Sequence, residues 1–449
     1  MLSLVGMKAI LIFCVIISAF SIEIPLNLSK FEPHSDYIVH SSMLHSIDYK
    51  LLTGSFYIGT PKQEFNLVID TTSSFSWIPN SNLQKTYPHT FNSKLSITFI
   101  SNGTSLNAPI GDMFQRGGIS LDVIDYTKEK RGKDLAPSFQ FILIDTSNET
   151  KKTVEGFDGS LSLHKPMIDK KHYPYSFPEY LLSENIINHN KFAIEILNNN
   201  KSTLYIDEDY IINEIINNKN NTTFSCKSSI SDNNNWNCPL TGIRIGNEYF
   251  MPNQLIHSAT IDSTKPYIIA PHKEGMKILD TYVKKLGDCS VYEKDEKYNF
   301  IACYKIFDLK KVDDLCFKIE KEELCIKGSD LFYKGKDLIS GQEILVFKVV
   351  AINLNVREWK FGLPMFYNKM IVFDGDNNEL TFIDVNDVKD FAHSPNHLLK
   401  NNSQKIKMCL LLIVLSLISA LVLLFIKCNV NKMNVGLKVK ANRYESFII

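Results

Sequence analysis

Two aspartates in opposite halves of the chain, Asp70 and Asp262, stand in the same local pattern. Each follows a run of strand-forming residues, comes directly after Ile and is followed by two hydroxyl-bearing residues, as Ile-Asp-Thr-Thr at 69–72 and Ile-Asp-Ser-Thr at 261–264. Facing carboxylates cannot both ionise cheaply, so one proton is shared between them. Such a pair can take a proton from water and give one to a substrate carbonyl or leaving amine. That chemistry is peptide hydrolysis without a metal, a cofactor or a covalent intermediate.

The same pattern also has a purely structural explanation. Asp before Ser or Thr at a strand end is a common turn, in which the carboxylate caps its own backbone. Other chemistries have less support: the 11 His residues are scattered, and we find no Ser-His-Asp constellation and no phosphate-binding glycine loop. The formal charge balances at 49 basic against 49 acidic residues, so it gives no reason to expect a nucleic-acid partner.

The elements that would position these aspartates are mainly strands. Short apolar runs alternate with turn clusters from residue 51 onwards, which favours a mainly β body. Helical periodicity is limited to segments such as 178–187 and 275–287. Asn-rich stretches around 185–222 and 232–237 are interpreted as loop insertions.

Both ends of the chain predict a membrane-anchored protein. Residues 1–21 have the layout of a cleavable signal peptide, with an N-terminal anchor as the alternative. Residues 408–426 run without a charge and predict one transmembrane helix, with a buried core helix as the alternative. Five basic residues follow this span and three precede it, which favours a single-pass type I protein. The segments on either side of the span are then a linker at 391–407 and a cytosolic tail at 427–449. Tyr444–Phe447 matches a tyrosine sorting signal read by adaptors.

The cysteines and glycosylation sequons agree with a body in the secretory or endolysosomal pathway or at the cell surface. Six cysteines lie in the body, and an even count in an oxidising compartment predicts disulfides. Pairing of neighbours is one of 15 connectivities, and it would join Cys226 to Cys238, Cys289 to Cys303 and Cys316 to Cys325. A zinc site is the alternative, but no CxxC pair is present, so no metal is predicted. Sequons occur at Asn27, Asn102, Asn148, Asn200, Asn220, Asn221 and Asn401.

Four segments resemble the pepsin-like aspartic proteases. Residues 54–79, GSFYIGTPKQEFNLVIDTTSSFSWIP, resemble the family's first active-site region, and residues 259–271 resemble the second. FDGSLSL at 157–163 and the stretch 360–384 are similar to further family motifs, and IEIPLNLSKF is similar to the start of a pepsin-type propeptide.

The resemblance extends from about Tyr49 to Asp384 and implies a bilobal β fold that binds a peptide or protein substrate in the cleft between the lobes. The implied divisions are a lead or propeptide-like segment at 22–49, an N-terminal lobe at 50–185 and a C-terminal lobe at 186–390.

The same resemblance implies roles for individual residues. Asp70 and Asp262 would form the catalytic dyad, and Thr71 and Ser263 would brace the two loops. The remaining implied roles are a hydrogen bond from Ser73 to the outer oxygen of Asp70, support of the flap by Trp77, and the flap position itself at Phe99.

The chain departs from the family pattern near both aspartates. Thr72 and Thr264 replace the motif glycines, and each adds a branched side chain beside the dyad. Lys265 and Pro266 stand where small hydroxyl residues are usual, and Phe99 replaces a tyrosine. A lysine near Asp262 would favour a fully ionised pair. Two hypotheses therefore stand: an aspartic endopeptidase, or an inactive pepsin-like protein that binds peptides or a partner at the membrane.

Overall fold

The structure is a computed structural model that describes most of the body of the chain. It covers residues 22–31, 49–85, 87, 89–110, 113–127, 136–146, 157–165, 176–197, 201–207, 222–228, 235–250, 257–294, 298–304, 307–336, 340–353 and 358–385. Several predictions lie outside these residues, namely the signal peptide, the linker at 391–407, the span at 408–426, the tail with Tyr444–Phe447, and the sequons at Asn148, Asn200, Asn220, Asn221 and Asn401. Among the helices in the described ranges, none is long and apolar enough to cross a membrane.

The described part of the chain is built mainly from strands, which confirms the prediction of a mainly β body. In chain order the strands are β1 (Ile22–Phe31), β2 (Tyr49–Ile58), β3 (Gln63–Asp70), β4 (Trp77–Pro79), β5 (Ile100–Ile110), β6 (Met113–Asp125), β7 (Ala136–Thr146), β8 (Gly159–Ser162), β9 (Lys191–Ile196), β10 (Ser202–Ile206), β11 (Thr223–Lys227), β12 (Asn237–Ile245), β13 (Glu248–Phe250), β14 (His257–Ile261), β15 (Ile268–Pro271), β16 (Cys289–Lys294), β17 (Tyr298–Cys303), β18 (Leu315–Ile319), β19 (Glu322–Ile326), β20 (Phe332–Lys336), β21 (Glu343–Phe347), β22 (Val349–Ile352), β23 (Glu358–Phe361), β24 (Lys369–Asp374) and β25 (Glu379–Asp384). The helices described are α1 (Phe177–Ser183) and α2 (His272–Leu286), with single 3₁₀ turns at Ser81–Leu83, Leu309–Lys311, Gly328–Asp330 and Leu363–Met365.

The strands form two sheets. The first has 13 strands in the order β11-β25-β24-β9-β10-β1-β2-β3-β8-β4-β7-β6-β5. The second has 12 strands, with β19-β18-β12-β14-β23-β15-β22-β17-β21-β20 in line, β13 beside β12 and β16 beside β17. Five strands from the range 186–390, which was predicted as the C-terminal lobe, therefore lie in the same sheet as strands of the predicted N-terminal lobe; they are β9, β10, β11, β24 and β25.

Strand β1 lies inside the first sheet. Its first half pairs antiparallel with β10, and its second half pairs with β2. Ile22, Ile24 and Leu26 alternate with more exposed residues and are at most 4% exposed, as expected of a strand with one face in the core. Residues 22–31 of the predicted lead segment thus form a structural strand.

The core is continuous between the two sheets. The ring of Phe192 on β9 stacks on Phe373 of β24 with centroids 4.5 Å apart, and the ring of Trp236 packs edge-on against both. Trp236 comes just before β12 of the second sheet, and its indole N–H donates to the carbonyl of Leu163 at 2.9 Å. Burial of such large rings is the main favourable term in this packing.

Helix α2 packs on β15 and β22 of the second sheet. Its buried face carries Ile278, Leu279 and Tyr282 at a helical spacing. Gly275 lets the helix approach closely, because a side chain there would collide with Ala351. The helical segments expected at 178–187 and 275–287 thus correspond to α1 and α2.

The structure contains the three disulfides that neighbour pairing predicts, which confirms that connectivity. Cys226 on β11 and Cys238 on β12 cross-link the two sheets, whereas the other two bonds join adjacent strands within the second sheet. All six sulfurs are therefore engaged with one another, and the zinc alternative fails for these cysteines.

The interpretation of residues 185–222 as a loop insertion is wrong for two stretches. Strands β9 and β10 lie within that range, near the middle of the first sheet. The apolar side chains of Phe192, Ile194 and Ile196 alternate and are fully buried or nearly so. Tertiary burial of this short alternating pattern outweighs the Asn-rich composition around it.

Candidate active site

Asp70 is the last residue of β3, beside the parallel strand β8. Its side chain lies in the turn that follows and is 6% exposed. Carboxylate oxygen Oδ1 accepts three hydrogen bonds, from the N–H of Thr72 at 2.8 Å, the hydroxyl of Thr72 at 2.9 Å and the N–H of Ser73 at 2.9 Å. The other oxygen, Oδ2, lies 3.4 Å from the hydroxyl of Ser160 on β8. These donors offset the cost of burying a carboxylate at the end of a buried strand, where it would otherwise lack hydrogen-bond partners.

Asp262 follows β14 and is arranged in the same way. Its own N–H donates to the carbonyl of Phe361 at 2.9 Å, which ties the turn to the parallel strand β23. Its Oδ1 accepts from the N–H of Thr264 at 3.1 Å and from the hydroxyl of Thr264 at 2.6 Å. The side chain is 2% exposed. The two halves of the chain thus present matching Asp turns, one from each sheet.

The residues after the two aspartates lock these turns together. The N–H of Thr71 donates to the hydroxyl of Ser263, and the N–H of Ser263 donates to the hydroxyl of Thr71, both at 3.1 Å. The Thr71 hydroxyl also donates to the carbonyl of Ile261 at 2.8 Å, and the Ser263 hydroxyl to that of Ile69 at 2.6 Å. Both side chains are fully buried. The fold therefore holds side by side two turns that are 192 residues apart in sequence.

Close backbone contacts support the second turn. The carbonyl of Lys265 accepts from the N–H of Leu363 at 2.8 Å, and a side chain at Gly362 would collide with the carbonyl oxygens of Lys265 and Tyr267. Pro266 offers its carbonyl to the hydroxyl of Tyr333. A glycine at 362 is thus required for the 3₁₀ turn at Leu363–Met365 to sit against the Asp262 turn.

An aromatic cluster around a buried lysine lies behind this turn. The ring of Tyr49, the first residue of β2, is 5.5 Å from that of Tyr333 and 6.4 Å from that of Tyr267. The ammonium of Lys348 lies 4.6 Å from the ring centroid of Tyr333 and donates to the carbonyl of Asp330 at 2.7 Å. Burial lowers the pKa of Lys348 to about 8. The start of β2 is thereby anchored in the second sheet near Pro266.

One of the expected supporting contacts, that of Ser73, differs from the resemblance. Ser73 reaches Asp70 through its main-chain N–H at Oδ1, and the hydroxyl that approaches Oδ2 belongs to Ser160. Sequence reasoning missed Ser160, although the signal was present in FDGSLSL, where two serines line β8. The second of them, Ser162, donates its hydroxyl to the carbonyl of Ser73 at 2.5 Å and holds the turn from behind.

The expected flap residue lies next to a hairpin. Strands β5 and β6 form this hairpin, whose connecting residues 111–112 lie outside the described residues. Phe99 comes immediately before β5, and its ring packs against Phe91 with centroids 5.7 Å apart. It is half-buried, 11 residues before the first strand of the hairpin ends, and its place in a flap stays a prediction. Trp77 is buried in β4 against Tyr87 and Phe157; its support of the flap stays a prediction.

The two described sequons differ in setting. Asn27 is an exposed residue of β1, and its carbonyl lies 3.5 Å from the hydroxyl of Thr53. Asn102 is exposed in a bulge of β5, where its side-chain oxygen accepts from the N–H of Thr104 at 2.8 Å and Gly103 has a positive φ of 75°. Both side chains are accessible to modification.

Comparisons with known proteins all find similarity to aspartyl proteases. A family model for eukaryotic aspartyl proteases matches residues 52–385, about three quarters of the chain. Chymosin from Camelus dromedarius is 27% identical over 158 residues, covering 34% of this chain and 39% of chymosin. Pepsin F from Oryctolagus cuniculus is 31% identical over 143 residues, covering 31% and 35%. Renin from Echis ocellatus is 23% identical over 338 residues, covering 73% and 79%.

The chain thus spans less than half the length of the first two of these relatives in the matched segments, and more than three quarters of renin. The family match encloses both Asp turns, the second sheet, the first sheet apart from β1 and the start of β2, and all three disulfides. The chain belongs to the eukaryotic aspartyl protease family.

Proposed function

We propose that this protein is an aspartic endopeptidase in which Asp70 and Asp262 activate a water molecule for attack on a peptide bond. One observation carries the proposal, namely the reciprocal hydrogen bonds between Thr71 and Ser263, because each of these residues directly follows one aspartate. With one proton shared between the carboxylates, the ionised partner takes a proton from water while the protonated partner donates to the substrate carbonyl. Collapse of the tetrahedral intermediate then passes a proton to the leaving amine.

A peptide-cleavage assay with the purified full chain over the acid pH range tests this proposal. Asp70→Asn and Asp262→Asn should each lower kcat by about 10²–10⁴-fold, since each removes one partner of the acid–base pair. Asp280→Asn, on the exposed face of α2, is the matched control and should keep wild-type activity. Cleavage that survives either dyad substitution would refute the proposal. A wild-type chain that binds peptides without cleaving them would instead support the inactive alternative.

The anchored topology is part of the same proposal and is supported by the sequence patterns at both ends. The catalytic body would lie on the lumenal or extracellular side, attached through residues 408–426 and sorted through Tyr444–Phe447. Deletion of residues 408–449 should release the protein from the membrane fraction into the medium. Glycosidase treatment should increase its gel mobility, and Asn102→Gln should reduce that change. A deleted protein that still sediments with membranes would contradict the assignment.

A further inference from the structure

Each of the two threonines that replace the motif glycines donates a hydrogen bond from its hydroxyl to a carboxylate of the dyad. The Thr72 hydroxyl donates to Oδ1 of Asp70 at 2.9 Å, and the Thr264 hydroxyl donates to Oδ1 of Asp262 at 2.6 Å. In each turn the N–H of the same threonine reaches the same oxygen. Two turns that are distant in sequence thus have the same side-chain donor on the same atom. This agreement indicates a shared role in the dyad rather than an accident of one turn.

The two threonine side chains lie at partly exposed positions. Thr72 and Thr264 are both half-buried, whereas the neighbouring Thr71 and Ser263 are fully buried. Each branched side chain beside the dyad thus adds a hydroxyl donor as well as bulk. A hydroxyl that donates to an ionised carboxylate forms a short, charge-assisted hydrogen bond, about twice as strong as a neutral one.

The donors are distributed unevenly between the two oxygens of Asp70. Within the described residues, Oδ1 of Asp70 accepts from two N–H groups and one hydroxyl, whereas Oδ2 has a single hydroxyl, that of Ser160, at 3.4 Å. An oxygen that already accepts three hydrogen bonds is a poor place for a proton. The shared proton is thereby directed to Oδ2.

We propose that Thr72 and Thr264 are positioning residues, whose hydroxyls clamp Oδ1 of each carboxylate and leave Oδ2 to carry the proton and the water. This inference rests on the proposed endopeptidase function and deepens it. On this account the two replacements do not inactivate the dyad. Each threonine instead adds one hydroxyl donor to the carboxylate of its own turn.

The first test compares isosteric and conservative variants of the full chain in the peptide-cleavage assay. Thr72→Val and Thr264→Val keep the shape and remove the hydroxyl, whereas Thr72→Ser and Thr264→Ser keep the hydroxyl and remove the methyl. Each Val variant should lower kcat about tenfold, the effect of one lost charge-assisted hydrogen bond, with KM changed by less than about twofold. Each Ser variant should stay within about threefold of wild type. Equal losses in Val and Ser variants would overturn the proposal.

The second test needs no catalysis. The melting temperature of each Val variant is compared with that of its Ser counterpart. The Ser variant should be the more stable, because its hydroxyl donates to Oδ1 of a buried carboxylate. Thr281 provides the matched control, since its hydroxyl donates to the carbonyl of Lys277 at 2.7 Å on an exposed helix face and its Val–Ser difference should be smaller.

A Val–Ser margin at Thr72 and Thr264 that is absent, or no greater than the margin at Thr281, would overturn the inference. If the wild-type chain cleaves no peptide at any pH, the proposed function fails, and this unfolding comparison still decides whether the hydroxyls hold the carboxylates.

Discussion

The main-chain N–H of Thr71 donates to the hydroxyl of Ser263 at 3.1 Å, and the N–H of Ser263 donates to the hydroxyl of Thr71 at the same distance. Each hydroxyl also donates to the carbonyl that precedes the aspartate of the opposite turn. Four buried hydrogen bonds therefore connect the two sheets where the carboxylates emerge. Because the network is reciprocal, neither turn can move without breaking contacts of the other.

A double-mutant cycle on this pair should show strong coupling. Thr71→Val and Ser263→Ala should each lower the free energy of unfolding by about 1–3 kcal/mol, since each leaves buried partners unsatisfied. The double variant should lose less than the sum, with a coupling energy of about 0.5–3 kcal/mol. Urea unfolding measures all three variants. Additive losses would mean that the two turns are held independently.

Strand β1 should be essential to the fold, because it hydrogen-bonds to β10 on one side and β2 on the other. Ile24→Asp should lower the free energy of unfolding by more than about 4 kcal/mol, since it removes a buried side chain and buries a charge. Pro25→Asp, an outward-facing position of the same strand, is the matched control and should be tolerated. Circular dichroism and urea unfolding of the full chain measure both, and similar behaviour of the two variants would contradict a central role for β1.

A buried carboxylate in the first sheet should make the protein less stable at neutral pH than in acid. Burial raises the pKa of Glu195 and the charge of Glu23 adds to this, although a hydrogen bond from Tyr205 at 3.0 Å opposes it. A carboxyl group whose pKa is raised in the folded state contributes stability below its unfolded pKa, and that stability is lost as the pH rises through the folded pKa.

Glu195→Gln should therefore raise the free energy of unfolding at pH 7 and change it little at pH 3.5. Urea unfolding at the two pH values is the measurement. An equal gain at both would assign the effect to packing rather than to ionisation.

The buried lysine of the second sheet should make the free energy of unfolding depend on pH in the alkaline range. Burial lowers the pKa of Lys348 from 10.5 to about 8, so the unfolded chain binds more protons than the folded one between these values. The free energy of unfolding should then rise by up to about 3 kcal/mol as the pH increases from 8 to 10.5.

Lys348→Met should remove this rise, and the difference between the two proteins isolates it from the titration of other groups. Chemical denaturation of both proteins at pH 7.5 and pH 10 provides the comparison. A rise that persists in the variant would show that another group is responsible.

Much of the local structure could be predicted from the sequence. The alternation in FNLVID predicts β3 and places Asp70 at its end, and helical spacing predicts α2. The neighbour pairing of the cysteines was also right, as for Cys289 and Cys303, because strands joined by a short turn bring such residues opposite each other. Each of these features depends on residues that are close in sequence, where side-chain period and short loops restrict the geometry.

The contacts around the carboxylates could be predicted only in part. Ser160, which approaches Asp70, is 90 residues away, and the hydroxyls of Thr72 and Thr264 could have pointed to solvent. The flap role of Phe99 stays a prediction, because a shift in strand register changes which residues reach the turn of a hairpin. Such details depend on side-chain rotamers and on which strands become neighbours.

By itself the sequence determined the strand-rich class, the paired Ile-Asp turns and the local disulfides, because these follow from short-range periodicity and spacing. Only the tertiary structure decided that β1 lies inside the first sheet, that Thr71 and Ser263 connect the two turns, and that the replacing threonines donate to the carboxylates. Those facts depend on contacts between segments far apart in the chain. No local pattern specifies them, because the partner of each donor is chosen only when the sheets pack together.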